Sequence, residues 1–392
     1  MALPTDVIVF STADWSEPNW TNNQRMSQSL AEQGFRVLYL ESIGLRQPTA
    51  NKRDLSRIRR RLLKSFQGLR RVAPKIWVFS PLVIPFYRNP VVQAVNQKIL
   101  VLTVKLLSRW LGFQQSIVWV YNPIVARFCE HLDPAFLVYH CVDDFATVPG
   151  IPPEVITAVE PAMVQAADLV FVTSKSLYDK LSTIALDKVH YFPNVADYQH
   201  FARSRLSTFI PQDLATVPQP RIGFIGAIKK YKLDFELIQT LAQRHPEWQW
   251  VLVGSLDLEN PDELLNQLDA PNIHFLGYRA YDRLPDYLSG FDVAVLPCLL
   301  NNYTQSMFPM KFFEYLAAGK PVVGTRLPAL TDYEHLYLQT NSVDEFEQAL
   351  KAALKGDHPV VEVGIEAAKA HTWESRCQQM KVLMQKSWQS QL

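Results

Sequence analysis

PMKFFEYLAAGKPVVGT, residues 309–325, joins a short helix to a buried strand and places two opposite charges on one face of that helix. Lys311 and Glu314 are three residues apart, so a helical turn brings their side chains together while the two phenylalanines between them pack inward. Gly319 ends the helix and Pro321 prevents its continuation, and two valines then form a strand. Because the free N–H groups at the start of a helix favour anions, the stretch predicts a ligand site, above all for phosphates.

Short apolar runs alternate with helical patterns along the whole chain. The predicted strands are Asp6–Phe10, Arg36–Leu40, Ile76–Phe79, Ile117–Tyr121, Leu137–His140, Leu169–Thr173, Arg221–Ile225, Trp250–Val253, His274–Leu276, Val293–Leu296 and Pro321–Val323. The two-residue alternation of an antiparallel sandwich is absent, which favours parallel, doubly wound sheets. Residues 204–220 contain three prolines and little periodicity, and are predicted to be a linker between two α/β domains.

Length and composition agree with two catalytic domains. The 392 residues exceed one ordinary core and suit two domains of a little under ~200 residues each. A net charge of +1 and a hydrophobic content of 48% exclude a nucleic-acid-binding stripe and a disordered chain. Four cysteines without CxxC spacing, and no signal-like stretch before Asp6, indicate a reducing cytoplasm. Residues 91–113 are apolar but interrupted by charges at helical spacing, which predicts an amphipathic helix rather than a membrane span.

The stretch from Asn301 to Val323 carries a resemblance to a known family. It runs Asn-x-x-Thr-x-x-x-x-Pro-x-Lys-x-x-Glu-Tyr-Leu-Ala-x-Gly-Lys-Pro-Val-Val and resembles the nucleotide-sugar site of GT-B glycosyltransferases, in particular the retaining family 4 type. That family usually carries Glu-x7-Glu on this helix. Glu314 matches the second glutamate, whereas Ser306 stands where the first would fall. The resemblance implies that Glu314 bonds the ribose hydroxyls of the donor, and the alternative is a simple intrahelical pair with Lys311.

The resemblance also implies the domain arrangement. Two Rossmann-like domains face one cleft in the GT-B fold. The predicted amino-terminal domain is 1–203, completed by a crossover helix at 371–392, and it takes the acceptor. The predicted carboxyl-terminal domain is 221–370, and it takes the donor.

Further donor residues are predicted in the second domain. Gly226 follows a strand and permits close backbone approach to a phosphate, with Lys230 and Lys232 near enough to neutralise charge, although a solvated charge run is the alternative. The resemblance adds Gly254 to the cleft and assigns Gly277 and Tyr278 to the nucleotide base, although Tyr278 is equally explained as a half-buried packing residue. The polar side chains before the helix are expected to reach sugar or phosphate oxygens; these are Thr304, Gln305 and Ser306.

The first domain supplies the candidate catalytic groups. His140 ends a buried strand, and Asp143 and Asp144 follow it at the sheet edge where α/β ligands gather. Retaining family 4 enzymes place a histidine at a comparable strand end, so the resemblance implies this role for His140, with either aspartate as a competing match. A satisfied structural histidine is the alternative.

A polar, tryptophan-rich loop follows the first strand. Trp15 and Trp20 suit stacking against an acceptor sugar, and Asn23, Gln24 and Arg25 begin the next helix where they are expected to face the cleft. A surface loop without a ligand is the alternative.

A basic segment extends from Arg46 to Lys75. It contains eleven Lys or Arg and one acid, with apolar residues at helical spacing. Such a helix suits peripheral contact with an anionic membrane, and a solvated face is the alternative.

The predicted function is transfer of a glycosyl group from a nucleotide diphosphate sugar to a saccharide or lipid-linked acceptor in polysaccharide or glycolipid biosynthesis. The resemblance implies retention of anomeric configuration. Neither a metal, since no Asp-x-Asp motif is present, nor a cofactor nor nucleic acid is expected. The expected location is the cytoplasm, at the inner face of the membrane. The rival predictions are a sugar-nucleotide epimerase and a nucleotide-binding scaffold without transfer activity. An oxidoreductase is disfavoured because no Gly-x-Gly-x-x-Gly opens either sheet.

Overall fold

The computed structural model describes residues 2–43, 67–81, 90–256, 268, 270–356 and 358–391. The chain forms two compact units: unit 1 contains Met1–Phe192 and Cys377–Leu392, and unit 2 contains Pro193–Arg376. Each unit carries its own sheet, covered by helices. The predicted pair of doubly wound α/β domains is therefore confirmed.

Unit 1 is built on a sheet of short, mostly buried strands. They are β1 (Asp6–Phe10), β2 (Arg36–Leu40), β3 (Arg70–Ala73), β4 (Ile76–Phe79), β5 (Ser116–Val120), β6 (Phe136–Cys141), β7 (Leu169–Val172) and β8 (Val189–Tyr191). Their order is β3-β4-β2-β1-β5-β6-β7-β8, and only the edge pair β3 and β4 is antiparallel among these described strands. The direction of winding reverses between β1 and β5, which is where ligands gather in folds of this kind.

Helices of unit 1 connect these strands. They are α1 (Asn22–Glu32), α2 (Pro90–Trp110), α3 (Ala126–Cys129), α4 (Pro153–Ala166) and α5 (Lys175–Ala185). The predicted amphipathic helix at 91–113 corresponds to α2. Among the described residues, no helix combines the length and the apolar character needed to cross a bilayer.

Unit 2 contains a wholly parallel sheet. Its strands are β9 (Arg221–Ile225), β10 (Gln249–Val253), β11 (Ile273–Gly277), β12 (Val293–Leu296), β13 (Val322–Thr325) and β14 (Leu338–Thr340). The order is β11-β10-β9-β12-β13-β14, so the winding reverses between β9 and β12. The carboxyl ends of these two strands therefore form the expected ligand-binding edge of unit 2.

The helices of unit 2 pack on both faces of this sheet. They are α6 (Tyr198–Ala202), α7 (Gln212–Ala215), α8 (Phe235–Arg244), α9 (Leu284–Ser289), α10 (Asn302–Ser306), α11 (Lys311–Ala317), α12 (Val343–Ala353) and α13 (Val360–Ala370). In α8, Asp234 caps the amino terminus through Leu237 N, and Leu237, Ile238 and Leu241 are buried on one side. This is the spacing that an amphipathic helix needs to cover a sheet.

Residues 204–220 are not the free linker that their prolines suggest. They lie within unit 2, where Leu214 and Val217 are buried in the hydrophobic core and Asp213 accepts hydrogen bonds from Arg279 and Tyr287. The units divide earlier, between Phe192 and Pro193. Proline stops regular structure without preventing the intervening apolar residues from packing.

The last helix, α14 (Trp373–Ser390), returns the chain to unit 1 from Cys377 onward. Trp388 meets Phe136 at the start of β6, with 6.3 Å between ring centroids. Lys381 Nζ donates to Gln33 O at 3.3 Å, at the end of α1. The closing helix is thus anchored to the opening elements of the chain.

Most of the basic segment from Arg46 to Lys75 lies outside the described residues. Its described end, from Gln67, enters the edge strand β3, where Arg71 lies 5.7 Å from the ring centroid of Trp77. The predicted basic helix therefore belongs to residues of which the structure gives no account.

Candidate functional site

Three glycines meet at the carboxyl edge of the sheet in unit 2. Gly226 follows β9, Gly254 follows β10 and Gly277 ends β11. Gly226 N donates to Val253 O, and Gly254 N donates to Gly277 O, both at 2.9 Å. A Cβ on Gly254 would lie 1.7 Å from Gly226 O, so a side chain cannot be accommodated there. The edge consequently consists of closely packed backbone. The sequence assigns each of these glycines separately to the donor site, and the structure brings them to one edge.

Tyr315 of α11 stabilises this edge through hydrogen bonds to the last residue of β9. Its hydroxyl accepts from Ile225 N at 2.8 Å and lies 3.1 Å from Ile225 O, to which it donates. The side chain is fully buried, and burial raises the pKa of Tyr315, so the hydroxyl keeps its proton and serves both bonds. Sequence analysis missed this residue because tyrosine on a buried helix face gives no signal beyond packing.

We expect Tyr315→Phe to loosen the glycine edge with little change in packing volume. Removing the hydroxyl takes away the acceptor of Ile225 N, a buried group, which costs about 1 to 2 kcal/mol. Hydrogen exchange of the segment around Ile225 should accelerate relative to the wild type. Tyr337→Phe, just before β14, is the control, since it removes a buried hydroxyl from the same unit without touching the two bonds to Ile225. Equal exchange in the wild type and Tyr315→Phe would show that the bonds do not hold the edge.

Lys311 and Glu314 form an ion pair at the start of α11. Lys311 Nζ lies 2.6 Å from Glu314 Oε2, and the glutamate side chain is only 5% exposed. The lysine is partly exposed, and its Nζ lies 5.9 Å from the ring centroid of Phe201. The intrahelical pair considered as the alternative is therefore present, and it fixes the carboxylate in place. The helix begins at Lys311, two residues later than Pro309.

The lysine-bearing segment after β9 is tied to the loop after β12. Leu299 N donates to Lys232 O at 3.0 Å, and Asn301 Nδ2 donates to Tyr231 O at 2.8 Å. Lys230 is exposed and Lys232 is partly exposed. The reversal point of the sheet thus combines fixed backbone with accessible cations. Asn301 also escaped the sequence analysis, although an Asn three residues before a Thr is a recognisable capping pattern.

The three polar residues predicted to contact ligand before α11 differ in their surroundings. Thr304 is buried, and its Oγ1 accepts from Asn301 N at 3.0 Å while Asn301 Oδ1 accepts from Thr304 N at 3.1 Å. These bonds cap α10, so the prediction that Thr304 contacts ligand is replaced by a structural role. Ser306 is also buried, at 8% exposure, whereas Gln305 is exposed.

Tyr278 follows the third glycine and is 41% exposed, which suits a half-buried packing residue as well as an aromatic contact for a base. Next to it, Arg279 Nη1 donates to Tyr278 O at 2.8 Å, and Arg279 Nη2 pairs with Asp213 Oδ2 at 2.5 Å. Burial opposes ionisation of Asp213, but the hydrogen bonds from Arg279 and Tyr287 prevail and lower its pKa. The segment that presents Tyr278 is therefore pinned by a charged network.

His140 lies inside the aromatic core of unit 1. Its ring stacks on Tyr121 with 5.0 Å between centroids, and Trp119 and Phe171 approach it edge-on at 5.6 and 6.1 Å. The residue has no exposed surface. This position favours the structural interpretation of His140 over a catalytic one, because a catalytic group must touch the reacting atoms.

Asp144 also serves the fold of unit 1. Its Oδ1 lies 3.0 Å from Lys180 Nζ, and it accepts from Ala146 N to cap a short turn. Lys180 also pairs with the buried Glu160 at 2.9 Å. Asp143, beside it, is partly exposed and stays a prediction.

Two of the predicted acceptor residues are instead used to shape the loop after β1. Asn23 Oδ1 accepts from Ser11 Oγ at 2.9 Å and from Thr12 N at 3.0 Å, and Gln24 Nε2 donates to Asp14 O at 2.9 Å. Both side chains are buried. Their polar groups stabilise the loop, so Asn23 and Gln24 are structural rather than acceptor-facing.

The other predicted acceptor residues form a surface aromatic cluster. Trp15 and Trp20 lie 5.0 Å apart between centroids, and the Arg25 guanidinium lies 5.0 Å from the Trp20 ring. Trp15 N donates to the buried Glu41 at 2.9 Å. Glu41, at the end of β2, also bonds Ser80 and was missed, since one acid after a strand is not distinctive. Among the described residues, no group of three His, Cys, Asp or Glu side chains is arranged to hold a metal ion.

Part of unit 2 matches a known protein family. Residues 219–356 match the family described as Glycosyl transferases group 1. Over 234 residues the chain is 32% identical to the "Putative teichuronic acid biosynthesis glycosyltransferase TuaH" of Bacillus subtilis (strain 168), covering 56% of this chain and 57% of that protein. The matched region thus spans little more than half of that curated relative.

Comparison with solved structures concerns the fold. Sucrose-phosphate synthase from Thermosynechococcus elongatus aligns with a TM-score of 0.74 at 15% identity, over 98% of this chain and 100% of that one. Trehalose 6-phosphate synthase from Burkholderia multivorans gives 0.67 at 12%, over 100% and 99%. Anabaena HepE, solved in complex with UDP and glucose, gives 0.58 at 16%, over 99% of each chain. Because all three identities are low, the likeness shows a shared GT-B fold and nothing about activity.

Proposed function

We propose that the chain transfers a sugar from a nucleoside diphosphate sugar to a saccharide or lipid-linked acceptor, since residues 219–356 match the family described as Glycosyl transferases group 1. The observation that carries the proposal is the convergence of Gly226, Gly254 and Gly277 at the carboxyl edge of the sheet in unit 2, where Gly226 borders the reversal point between β9 and β12. An edge made of backbone admits a flat, phosphate-bearing ligand more closely than one lined by side chains.

The charges around this edge suit a diphosphate leaving group. Lys230 and Lys232 lie in the segment that follows Gly226, and both have exposed surface. Negative charge develops on the departing diphosphate as the bond to the sugar breaks, so fixed cations stabilise the transition state more than the ground state. The exposed ring of Tyr278, beside the third glycine, is suited to the nucleotide base.

Glu314 is proposed to bind the ribose hydroxyls while paired with Lys311. Oε2 accepts from the lysine at 2.6 Å, and an ionised carboxylate has about four acceptor positions, so the ion pair leaves capacity for two hydroxyl donors. The pair also prevents the carboxylate from rotating away. A fixed acceptor loses less conformational entropy on binding than a mobile one.

The finer features of the reaction are also proposals. Retention of anomeric configuration and transfer without a metal follow the resemblance of residues 301–323 to retaining family 4. The name of the Bacillus relative supports a role in polysaccharide biosynthesis. The anomeric proton coupling of the product, measured by NMR, tests retention directly.

We expect Glu314→Gln to weaken the binding of nucleoside diphosphates at least tenfold, which corresponds to about 1.4 kcal/mol. The amide keeps the size of the side chain but replaces two acceptor oxygens by one and adds a donor. Isothermal titration of a panel of nucleoside diphosphates measures the change. Glu366→Gln is the matched control, since Glu366 pairs with Lys369 at the same i, i+3 spacing on α13 but is exposed.

The outcomes separate the rival functions. Thermal unfolding should first show that the wild type and Glu314→Gln are both folded. If the two folded proteins then bind nucleoside diphosphates with equal affinity, Glu314 is not part of the site. Release of an epimerised sugar nucleotide without acceptor would identify an epimerase. Nucleotide binding with neither hydrolysis nor transfer across a panel of donors would identify an inactive scaffold.

A further inference from the structure

Helix α2 of unit 1 carries an apolar stripe on its outer face. The stripe consists of large hydrophobic side chains at helical spacing, each at least 40% exposed: Val95, Ile99, Leu102, Leu106 and Trp110. The inner face of the same helix is anchored separately, because Leu100 and Val104 are buried in the core of unit 1. The stripe is therefore not needed to hold α2 on the sheet.

The size of the stripe makes it unusual for a protein surface. Fifteen residue steps of an α-helix span about 22 Å. Trp110, at one end, is 74% exposed and Leu102, near the middle, is 61% exposed. Scattered apolar residues are normal on soluble proteins, but a contiguous row on one helix face marks an interaction surface.

Cations line one flank of the stripe. Lys98, Lys105 and Arg109 follow it at helical spacing, and residues 90–110 contain no Asp or Glu. Lys105 is paired with Asp133 at 2.9 Å in an exposed bridge, whereas Lys98 and Arg109 are both exposed. The helix thus combines an apolar row, a basic flank and a terminal tryptophan, the composition of helices that lie in a membrane interface.

We propose that the outer face of α2 docks unit 1 onto an anionic lipid surface, with the stripe entering the headgroup boundary and the basic flank meeting lipid phosphates. The charges favour this occupant over a second copy of the chain. A second α2 would bring further cations and no acid of its own, whereas anionic lipid supplies the opposite charge. The proposal does not depend on the transfer reaction, and it concerns residues separate from the basic segment 46–75.

A label on the stripe tests the contact directly. The four native cysteines are all buried, so a cysteine introduced by Leu106→Cys is labelled selectively by an environment-sensitive nitrobenzoxadiazole. We expect its fluorescence to rise and shift to the blue with vesicles of phosphatidylcholine and phosphatidylglycerol, and less with phosphatidylcholine alone. Leu186→Cys is the matched control, because Leu186 is 66% exposed on the same unit away from the stripe.

Vesicle co-sedimentation of the full chain measures the contribution to binding. Leu102→Ser with Leu106→Ser should reduce partition onto anionic vesicles at least tenfold at unchanged thermal stability, and Leu186→Ser should not. Lys98→Glu with Arg109→Glu should remove most of the preference for anionic lipid.

Three results would overturn the proposal. The first is a failure of the wild-type protein to co-sediment with anionic vesicles. Equal partition of the wild type and the double serine variant is another, since it would place binding elsewhere, for example in residues 46–66. A change from dimer to monomer in the double serine variant would assign the stripe to a second copy.

Discussion

Gly254→Ala is expected to lower the free energy of unfolding of unit 2 by about 3 kcal/mol and to abolish measurable nucleotide binding. The new methyl carbon would lie 1.7 Å from Gly226 O, a backbone atom that cannot turn aside as a flexible side chain could, and the two residues follow adjacent strands. Relief requires the ends of β9 and β10 to separate, which breaks the bond from Gly226 N to Val253 O. Thermal unfolding of unit 2 should shift down by roughly 6 to 12 °C.

Gly356→Ala is the control for this substitution. Gly356 has a φ of +81° but nothing within 4 Å of a built Cβ, so alanine there meets backbone strain of about 1 to 2 kcal/mol without a collision. Nucleotide affinity should be unchanged in that variant. Equal shifts for Gly254→Ala and Gly356→Ala would mean that contact with Gly226 does not dominate.

Lys180→Met is expected to cost unit 1 about 2 kcal/mol. It leaves Glu160, which is 2% exposed, with a buried charge whose cation is gone, while Tyr139 still donates to it at 2.8 Å. Breaking a fully buried pair costs about 3 to 5 kcal/mol. The smaller cost of about 2 kcal/mol is expected here because the lysine side chain is 36% exposed and its charge is screened by water. Chemical denaturation followed by hydrogen exchange in α4 and α5 measures the loss.

The pH dependence of this loss of stability is determined by the ionisation of Lys180. Partial burial opposes its charge, but Glu160 and Asp144 prevail and raise the pKa of Lys180. A raised pKa means that the stabilisation is complete below the unfolded-state value of about 10.4 and is lost only as the pH rises through the folded-state value. The difference between wild type and variant should therefore be constant across neutral pH and narrow only in strong alkali.

Two further variants define the cause. Glu160→Gln combined with Lys180→Met should recover part of the stability, because no buried charge remains. Lys369→Met removes the cation of an exposed pair and should leave the thermal midpoint unchanged. A Lys180→Met midpoint equal to that of the wild type would show that the Glu160 network is dispensable.

The architecture was predictable because a strand that is buried on both faces needs an uninterrupted run of hydrophobic residues, which can be recognised in the sequence. Runs such as VIVF, which follows Asp6 in β1, and VAVL in β12 are hydrophobic at every position, as strands covered on both faces must be, and both strands lie where predicted. The glycine edge was predictable for a related reason, since a glycine after a strand marks a place where a side chain would obstruct.

Roles of polar side chains were harder to predict than their positions. Asn23, Gln24 and Thr304 all lie near strand ends, as expected, yet each bonds nearby backbone instead of facing outward. Asn, Gln and Thr serve equally as caps and as ligand contacts, and the choice depends on side-chain direction, which sequence does not encode locally. His140 shows the same limit, because its aromatic neighbours come from the two flanking strands, with Trp119 in β5, Tyr121 directly after it and Phe171 in β7.

The return of α14 to unit 1 affects how the protein is made. Cys377, Met380 and Met384 are buried, yet they are translated only after the whole of unit 2, which is one uninterrupted stretch of chain. Unit 1 is therefore begun before unit 2 and completed after it. Interruption of synthesis before α14 would leave the earlier-synthesised part of unit 1 with uncovered apolar surface, a state that favours aggregation and proteolysis.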